Sequence, residues 1–180
     1  SSNYGYKYYI SFIDAYSRFV WIYMIKSKSE TSNVVIQFIN KVENITGNKV
    51  INFQTDGGRE FLPLKEFFVK KGINHRTTCP YTFEQNGIIE RKHRHIVETD
   101  LTLLAHASMT FKYWSDVFNT TVHLINLMPT KVLEYKCPRE VLTKVKPDYK
   151  HQKVFGCQCF PYLRPYNNHK LDFRSTPCTF

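Results

Sequence analysis

The chain has 180 residues, of which 42% are hydrophobic and 16% aromatic, enough for a packed domain and too apolar for a disordered chain. No apolar run is long enough to span a bilayer and no secretory leader opens the sequence, so the protein is expected to be soluble, in the nucleus or cytoplasm, with no membrane partner. The formal net charge of +10 suits a polyanion such as nucleic acid, although many soluble proteins are basic.

The charge is uneven. Residues 1–130 hold 15 Lys+Arg against 11 Asp+Glu, and residues 131–180 hold 10 against 4. Five irregularly spaced cysteines argue against a disulfide framework, and the single residue between Cys157 and Cys159 is poor spacing for a zinc knuckle. Buried thiols in a reducing compartment are expected.

Two runs rich in aromatic and β-branched residues, 8–13 and 19–25, flank Asp14-Ala15-Tyr16-Ser17-Arg18 and read as an antiparallel hairpin. Ser27 followed by Glu30 forms a capping-box signature ahead of a helix with Val34, Phe38, Val42 and Ile45 at helical spacing and a stop at Gly47. A short strand over 50–54 runs into Thr55-Asp56-Gly57-Gly58. Pro63 is expected to start a second helix, with Leu64, Phe67 and Phe68 on one face and Gly72 as its end. Residues 73–77 read as a strand and 78–87 as a loop. Residues 88–106 read as a long helix, and a further helix bearing Trp114, Val117, Phe118, Val122 and Ile125 stops before Pro129. This order predicts a mixed α/β fold with helices on a central sheet. Trp21 and Trp114 are expected in the core. Residues 131–180, with five prolines, read as a basic extension with short elements, and Tyr162 and Tyr166 there as surface anchors.

Two acids carry candidate chemistry. Asp56 follows a strand at the edge where α/β sheets bind ligands, and Glu90 lies in the first turn of a long helix, where the dipole favours a carboxylate. Converging carboxylates repel unless a divalent cation neutralises them, and Mg²⁺ takes such oxygen ligands. By spacing alone, Asp56 as a turn cap and Glu90 as a helix cap are the commoner meanings. The run Arg91-Lys92-His93-Arg94-His95 could draw a phosphate backbone or be an ordinary solvated face; Tyr81 and Phe83 could stack on bases or anchor their loop. His93 and His95 show no third partner for a metal.

The segment Thr55-Asp56-Gly57-Gly58-Arg59-Glu60-Phe61 resembles the Thr-Asp-Asn-Gly-Gly-Glu-Phe motif of copia-type retrotransposon integrases. Pro80-Tyr81-Thr82-Phe83-Glu84-Gln85-Asn86-Gly87-Ile88-Ile89-Glu90-Arg91-Lys92 resembles their Pro-Tyr-Thr-Pro-Gln-Gln-Asn-Gly-Val-Ala-Glu-Arg-Lys motif. Phe12-Ile13-Asp14-Ala15-Tyr16-Ser17-Arg18 resembles their hairpin, and Val154-Phe155-Gly156-Cys157 with Lys170-Leu171-Asp172 the segment after their core. Gly57 and Arg59 replace the family's Asn and Gly beside the acid, and Phe83 and Glu84 replace Pro and Gln in the loop.

The resemblance implies a ribonuclease H-like fold: a mixed sheet flanked by helices, with residues 1–130 as the catalytic-core-like domain and 131–180 as a post-core extension. It implies an Asp-Asp-Glu site in which Asp56 and Glu90 are the second and third acids, holding Mg²⁺ or Mn²⁺. It implies 3′-end processing and strand transfer on double-stranded DNA, both element ends and target, by a multimer. Tyr81, Gln85, Asn86, Arg91, Lys92 and Arg94 would lie along the DNA. The family's first acid belongs to a strand ahead of residue 1, and Asp14 corresponds to a hairpin-turn residue that is not a metal ligand. The strand at 50–54 is therefore expected to lack a neighbour, and the chain to melt below one extended at its amino end. Two alternatives stay open: a catalytically inactive nucleic-acid-binding relic or domesticated module, and a host protein using the fold for protein contacts.

Overall fold

The structure is a computed structural model, and it describes residues 2–78 and 87–179. Strands β1 (Tyr8–Ile13) and β2 (Val20–Ile25) pair antiparallel, with Tyr8 opposite Ile25 and Ile13 opposite Val20. Asp14 builds the turn between them. Its Oδ2 accepts from the Ser17 amide at 2.7 Å and from the Ser17 hydroxyl at 2.6 Å, and Arg18 takes a left-handed φ of 58°. Phe19 closes the turn by accepting the Asp14 amide, so the second strand starts one residue later than its composition suggests.

Side chains alternate across a strand, and here both faces of the hairpin are apolar. Tyr9, Ile13, Val20, Ile22 and Met24 face one core cluster. Ile10, Phe12, Trp21 and Tyr23 face another. The hairpin is thus a wall with a core on each side.

The second core is roofed by α1 (Thr31–Thr46). The Ser27 side chain and Glu30 close the expected capping box: Glu30 Oε1 accepts the Ser27 amide at 2.8 Å, and the cap opens a single 3-10 turn that leads into α1. Gly47 ends the helix with φ 67°. The predicted stripe meets the core through Phe38, buried, and Val34 and Val42, half-buried, but Ile45 is 61% exposed, and Thr31, Val35 and Ile39 complete the buried face. Phe38 stacks on Phe12 of the hairpin, centroids 3.8 Å apart, and that contact sets the helix rotation.

Strands β3 (Asn52–Thr55) and β4 (Asn74–Thr77) run parallel in register, with Thr55 opposite Thr77. Between them lie a 3-10 turn, Arg59–Leu64, and α2 (Lys65–Lys71), which ends on Gly72 at φ 70°. Pro63 lies inside the 3-10 turn, so the helix begins two residues after it, and Leu64 and Phe68 form its buried side. Lys71 ties α2 to α1 through Glu43 at 2.8 Å, and this bond first, then one from the Val50 amide, holds the Glu43 carboxyl below its usual range.

The single central sheet predicted from the element order is instead two two-stranded ribbons, β1–β2 and β3–β4, with no backbone ladder joining them among the described residues. Aromatic packing bridges them, with Phe12 and Phe53 centroids 6.1 Å apart.

The first core is closed by α3 (Gly87–His106) and α4 (Trp114–Leu127), which pack on each other; α4 also lies against β2. Trp114 is buried among them and Trp21 is half-buried. The chain after residue 130 continues onto this core. Helix α5 (Pro138–Thr143) packs on α4, Cys137 is buried, Phe155 joins the first core, and the Tyr149 hydroxyl donates to the Leu127 carbonyl at 2.9 Å. A last ribbon, β5 (Gln158–Cys159) with β6 (Cys178–Thr179), ends the described chain; Tyr162 and Tyr166 are exposed. Cys137, Cys157, Cys159 and Cys178 are free thiols.

Candidate active site

Asp56 follows directly on β3, and its turn is tightly built. The Thr55 hydroxyl accepts the Gly57 amide at 3.3 Å and hydrogen-bonds His75 at 3.0 Å. Burial, and secondarily Lys65, lowers the His75 pKa, which favours a neutral ring for that bond. The Gly58 amide donates to Asp56 Oδ1 at 3.1 Å. Gly57 has φ 79°, and a Cβ there would meet Thr77 Cγ2 at 3.2 Å, so both the conformation and the space call for glycine. The turn uses one carboxylate oxygen of Asp56. The side chain is exposed and makes no ion pair among the described residues.

Glu90 lies in the first turn of α3, exposed and likewise without an ion pair among the described residues. At about 100° per residue, the inward stripe of α3 is His93, Ile96, Val97, Asp100 and Leu104, with Ile96, Asp100 and Leu104 buried. Glu90 falls on the margin of that stripe, beside Arg94. Arg91 lies on the opposite side and folds back, its Nη1 3.1 Å from where a Cβ on Gly87 would be. Lys92 occupies the other margin, half-buried, and burial together with the charge of Arg18 holds its ammonium pKa below the usual value. The basic run is therefore split around the helix rather than gathered on one face.

Of the other sequence candidates, Tyr81, Gln85 and Asn86 lie outside the described residues. Asp14 is committed to its hairpin turn. Among the described residues no three His, Cys, Asp or Glu side chains converge as a metal cage. Asp56 and Glu90 do fit Mg²⁺ or Mn²⁺ in kind: both are accessible carboxylates, free of competing cations among the described residues, and of the hard oxygen chemistry such ions take. The two acids belong to different packing units, β3 to its partner β4 and α3 to α4.

Sequence reasoning passed over two groups. Asp100 is 2% exposed in the first core, and neither carboxylate oxygen has a hydrogen-bond partner among the described residues. Burial pushes its pKa up to about 7; the nearby Thr121 hydroxyl pulls the other way but falls short of hydrogen-bond geometry. Its signal was positional, since it stands seven residues after His93 on the inward stripe. Tyr9 of β1 hydrogen-bonds His93 Nε2, stacks on its ring with centroids 5.6 Å apart, and rests on Phe118 at 4.7 Å. Burial first, and the charge of Asp100 second, push the Tyr9 phenol up to about 12.

Residues 1–82 match the integrase core domain family. The chain is 47% identical over 176 residues to a retrovirus-related Pol polyprotein from transposon RE1 of Arabidopsis thaliana, covering 98% of this chain and 12% of that relative. Among solved structures it is similar to the integrase catalytic core domain of HTLV-2 in complex with magnesium (TM-score 0.54, 18% identity, 72% of this chain and 80% of that one). It is also similar to the intasome of simian T-cell lymphotropic virus (TM-score 0.61, 16% identity, 94% of this chain and 60% of that one). At these identities the structural likeness speaks to the fold, which is ribonuclease H-like. Taken with the motifs around Asp56 and Glu90, these matches establish that the chain belongs to the integrase core family of retrovirus-related Pol polyproteins from transposons.

Proposed function

We propose that this chain is the core region of an integrase that processes the 3′ ends of a retroelement's double-stranded DNA and joins them to target DNA. It would hold Mg²⁺ or Mn²⁺ with Asp56 and Glu90. The observation that carries the proposal is this pair of exposed carboxylates at element ends, free of competing cations among the described residues, in a chain of this family. The chain spans 12% of the length of the polyprotein relative.

A bound divalent ion supplies charge neutralisation at a phosphodiester and activation of the attacking oxygen. The chain's own residues do the rest. The Thr55–Gly58 turn fixes the direction of Asp56, and the first turn of α3 presents Glu90. Arg94 beside Glu90 draws phosphates toward the carboxylates, and Lys92 and Arg91 add positive charge elsewhere around the helix. Tyr81, Gln85 and Asn86 are proposed to follow the same DNA path. Assembly as a homo-oligomer on paired DNA ends is part of the proposal, and the HTLV-2 core described as a trimeric form is in keeping with it.

Calorimetric titration of Mg²⁺ and Mn²⁺ into the chain and into Asp56→Ala and Glu90→Ala tests the reading. Binding in the unmutated chain that is lost in both variants supports one shared site. A folded chain that binds DNA but gives no metal response would reject it and leave a nucleic-acid-binding module.

A further inference from the structure

We infer that Tyr9 and His93 form a positioning pair that pins the start of α3, and with it Glu90, to the hairpin wall. The inference rests on the reading of Glu90 as a metal-holding acid.

The amino end of a helix is its least anchored part, because the first four amides have no intrahelical partner and the end frays. In α3 the first fully buried side chain is Ile96, nearly two turns beyond Glu90. Among the described residues, His93 is the side chain in these turns that hydrogen-bonds another element. It is the first member of the inward stripe after Glu90, three residues on. Although exposed, it is bonded through Nε2 to the Tyr9 hydroxyl, 84 positions away in sequence.

Tyr9 is a firm anchor. It belongs to β1, paired opposite Met24 of β2, and its ring is wedged against Phe118 of α4 at 4.7 Å. The rings of Tyr9 and His93 are also within 17° of parallel, so the contact resists twisting as well as separation. The phenol stays protonated across the working pH range, its pKa pushed up to about 12, and so keeps a donor available for the imidazole. Neither residue need touch DNA or metal; the pair acts through the turn that carries Glu90. Metal affinity depends on how firmly the ligating carboxylates are held, and losing the groups that orient them weakens the site.

The test is calorimetric Mn²⁺ titration of the unmutated chain and of Tyr9→Phe, His93→Ala, His93→Gln and Glu90→Ala, with each metal-free melting temperature recorded. Tyr9→Phe keeps the ring and removes only the hydroxyl. Tyr9→Phe and His93→Ala are expected to weaken Mn²⁺ binding ~10-fold. Their metal-free melting temperatures should move by no more than ~3 °C, about 1 kcal/mol for a chain of this size. His93→Gln, whose amide can meet the phenol, should recover most of the affinity. A purely structural role would do the reverse, lowering the melting temperature and sparing affinity, and would overturn the inference. Binding lost in Glu90→Ala but intact in Tyr9→Phe and His93→Ala overturns the pair alone. No binding by the unmutated chain, or binding that survives Glu90→Ala, overturns the reading of Glu90 and the pair with it. If Tyr9→Phe fails to fold, the exposed His93→Ala and its Gln counterpart carry the same comparison.

Discussion

Asn126 of α4 closes both backbone groups of Val20: its Oδ1 accepts the Val20 amide at 2.8 Å and its Nδ2 donates to the Val20 carbonyl at 2.7 Å. Both residues are buried. Val20 begins β2, whose other edge is taken by β1, so this one side chain substitutes for a neighbouring strand. Asn126→Ala would orphan a buried donor and a buried acceptor, at about 1–3 kcal/mol each. The expected result is a loss of roughly 3 kcal/mol and a fall of about 10 °C in melting temperature. Thermal denaturation checks it, and a fall under ~3 °C would mean that water replaces the amide without penalty.

Asp100 makes stability depend on pH in an unusual direction for a carboxylate. Its folded pKa of about 7 lies above the ordinary value of 3.8, so the native state binds the proton more tightly than the unfolded chain. The penalty for burying its charge is absent below pH 3.8, grows as pH rises, and is complete above pH 7. Asp100→Asn should flatten that dependence and raise stability at pH 8 by on the order of 3 kcal/mol. Denaturant unfolding between pH 5 and 8.5 decides the matter; parallel curves for the two proteins would show that Asp100 does not titrate in this window.

Gly57→Ala tests the turn that aims Asp56. A left-handed φ costs a residue with a Cβ about 1–2 kcal/mol, and the added methyl meets Thr77 Cγ2. Metal affinity should fall together with stability, because the strained atoms adjoin the carboxylate. Gly47→Ala, also at positive φ but with open space around it, should lower stability alone.

Of Arg91, Lys92 and Arg94, each one that neutralises a phosphate should lower the salt slope of DNA binding by about 1 when replaced by Gln. Arg91 and Lys92 lie on different sides of α3, so one straight duplex would not engage both equally. Binding isotherms across a salt series would reveal which of the three leaves the slope unchanged and so faces away from the DNA.

Much of this arrangement could be read from the sequence. The hairpin, the four longer helices and their order follow from period-2 and period-3.6 patterns, with Ser27, Glu30, Gly47 and Gly72 acting as the punctuation expected. What escaped was decided by tertiary contact. Val34-Phe38-Val42-Ile45 and Thr31-Val35-Phe38-Ile39 are overlapping stripes of one helix that share Phe38, and the core packs most tightly on Val35 and Ile39 while Ile45 is left exposed. Asp56 and Glu90 stood out through their motifs. Asp100 did not, because Glu-Thr-Asp within a charged helix reads as solvated surface. Tyr9 looked like any strand aromatic until a helix from far along the chain met it.

The two-sided hairpin works like the beam of a caliper. One jaw, with Asp56, is seated through Phe53 and Phe68 against the core on one flank; the other jaw, with Glu90, rides on α3 against the opposite flank. β1 and β2, with the rings they carry, thus stand between the core beneath Asp56 and the core beneath Glu90.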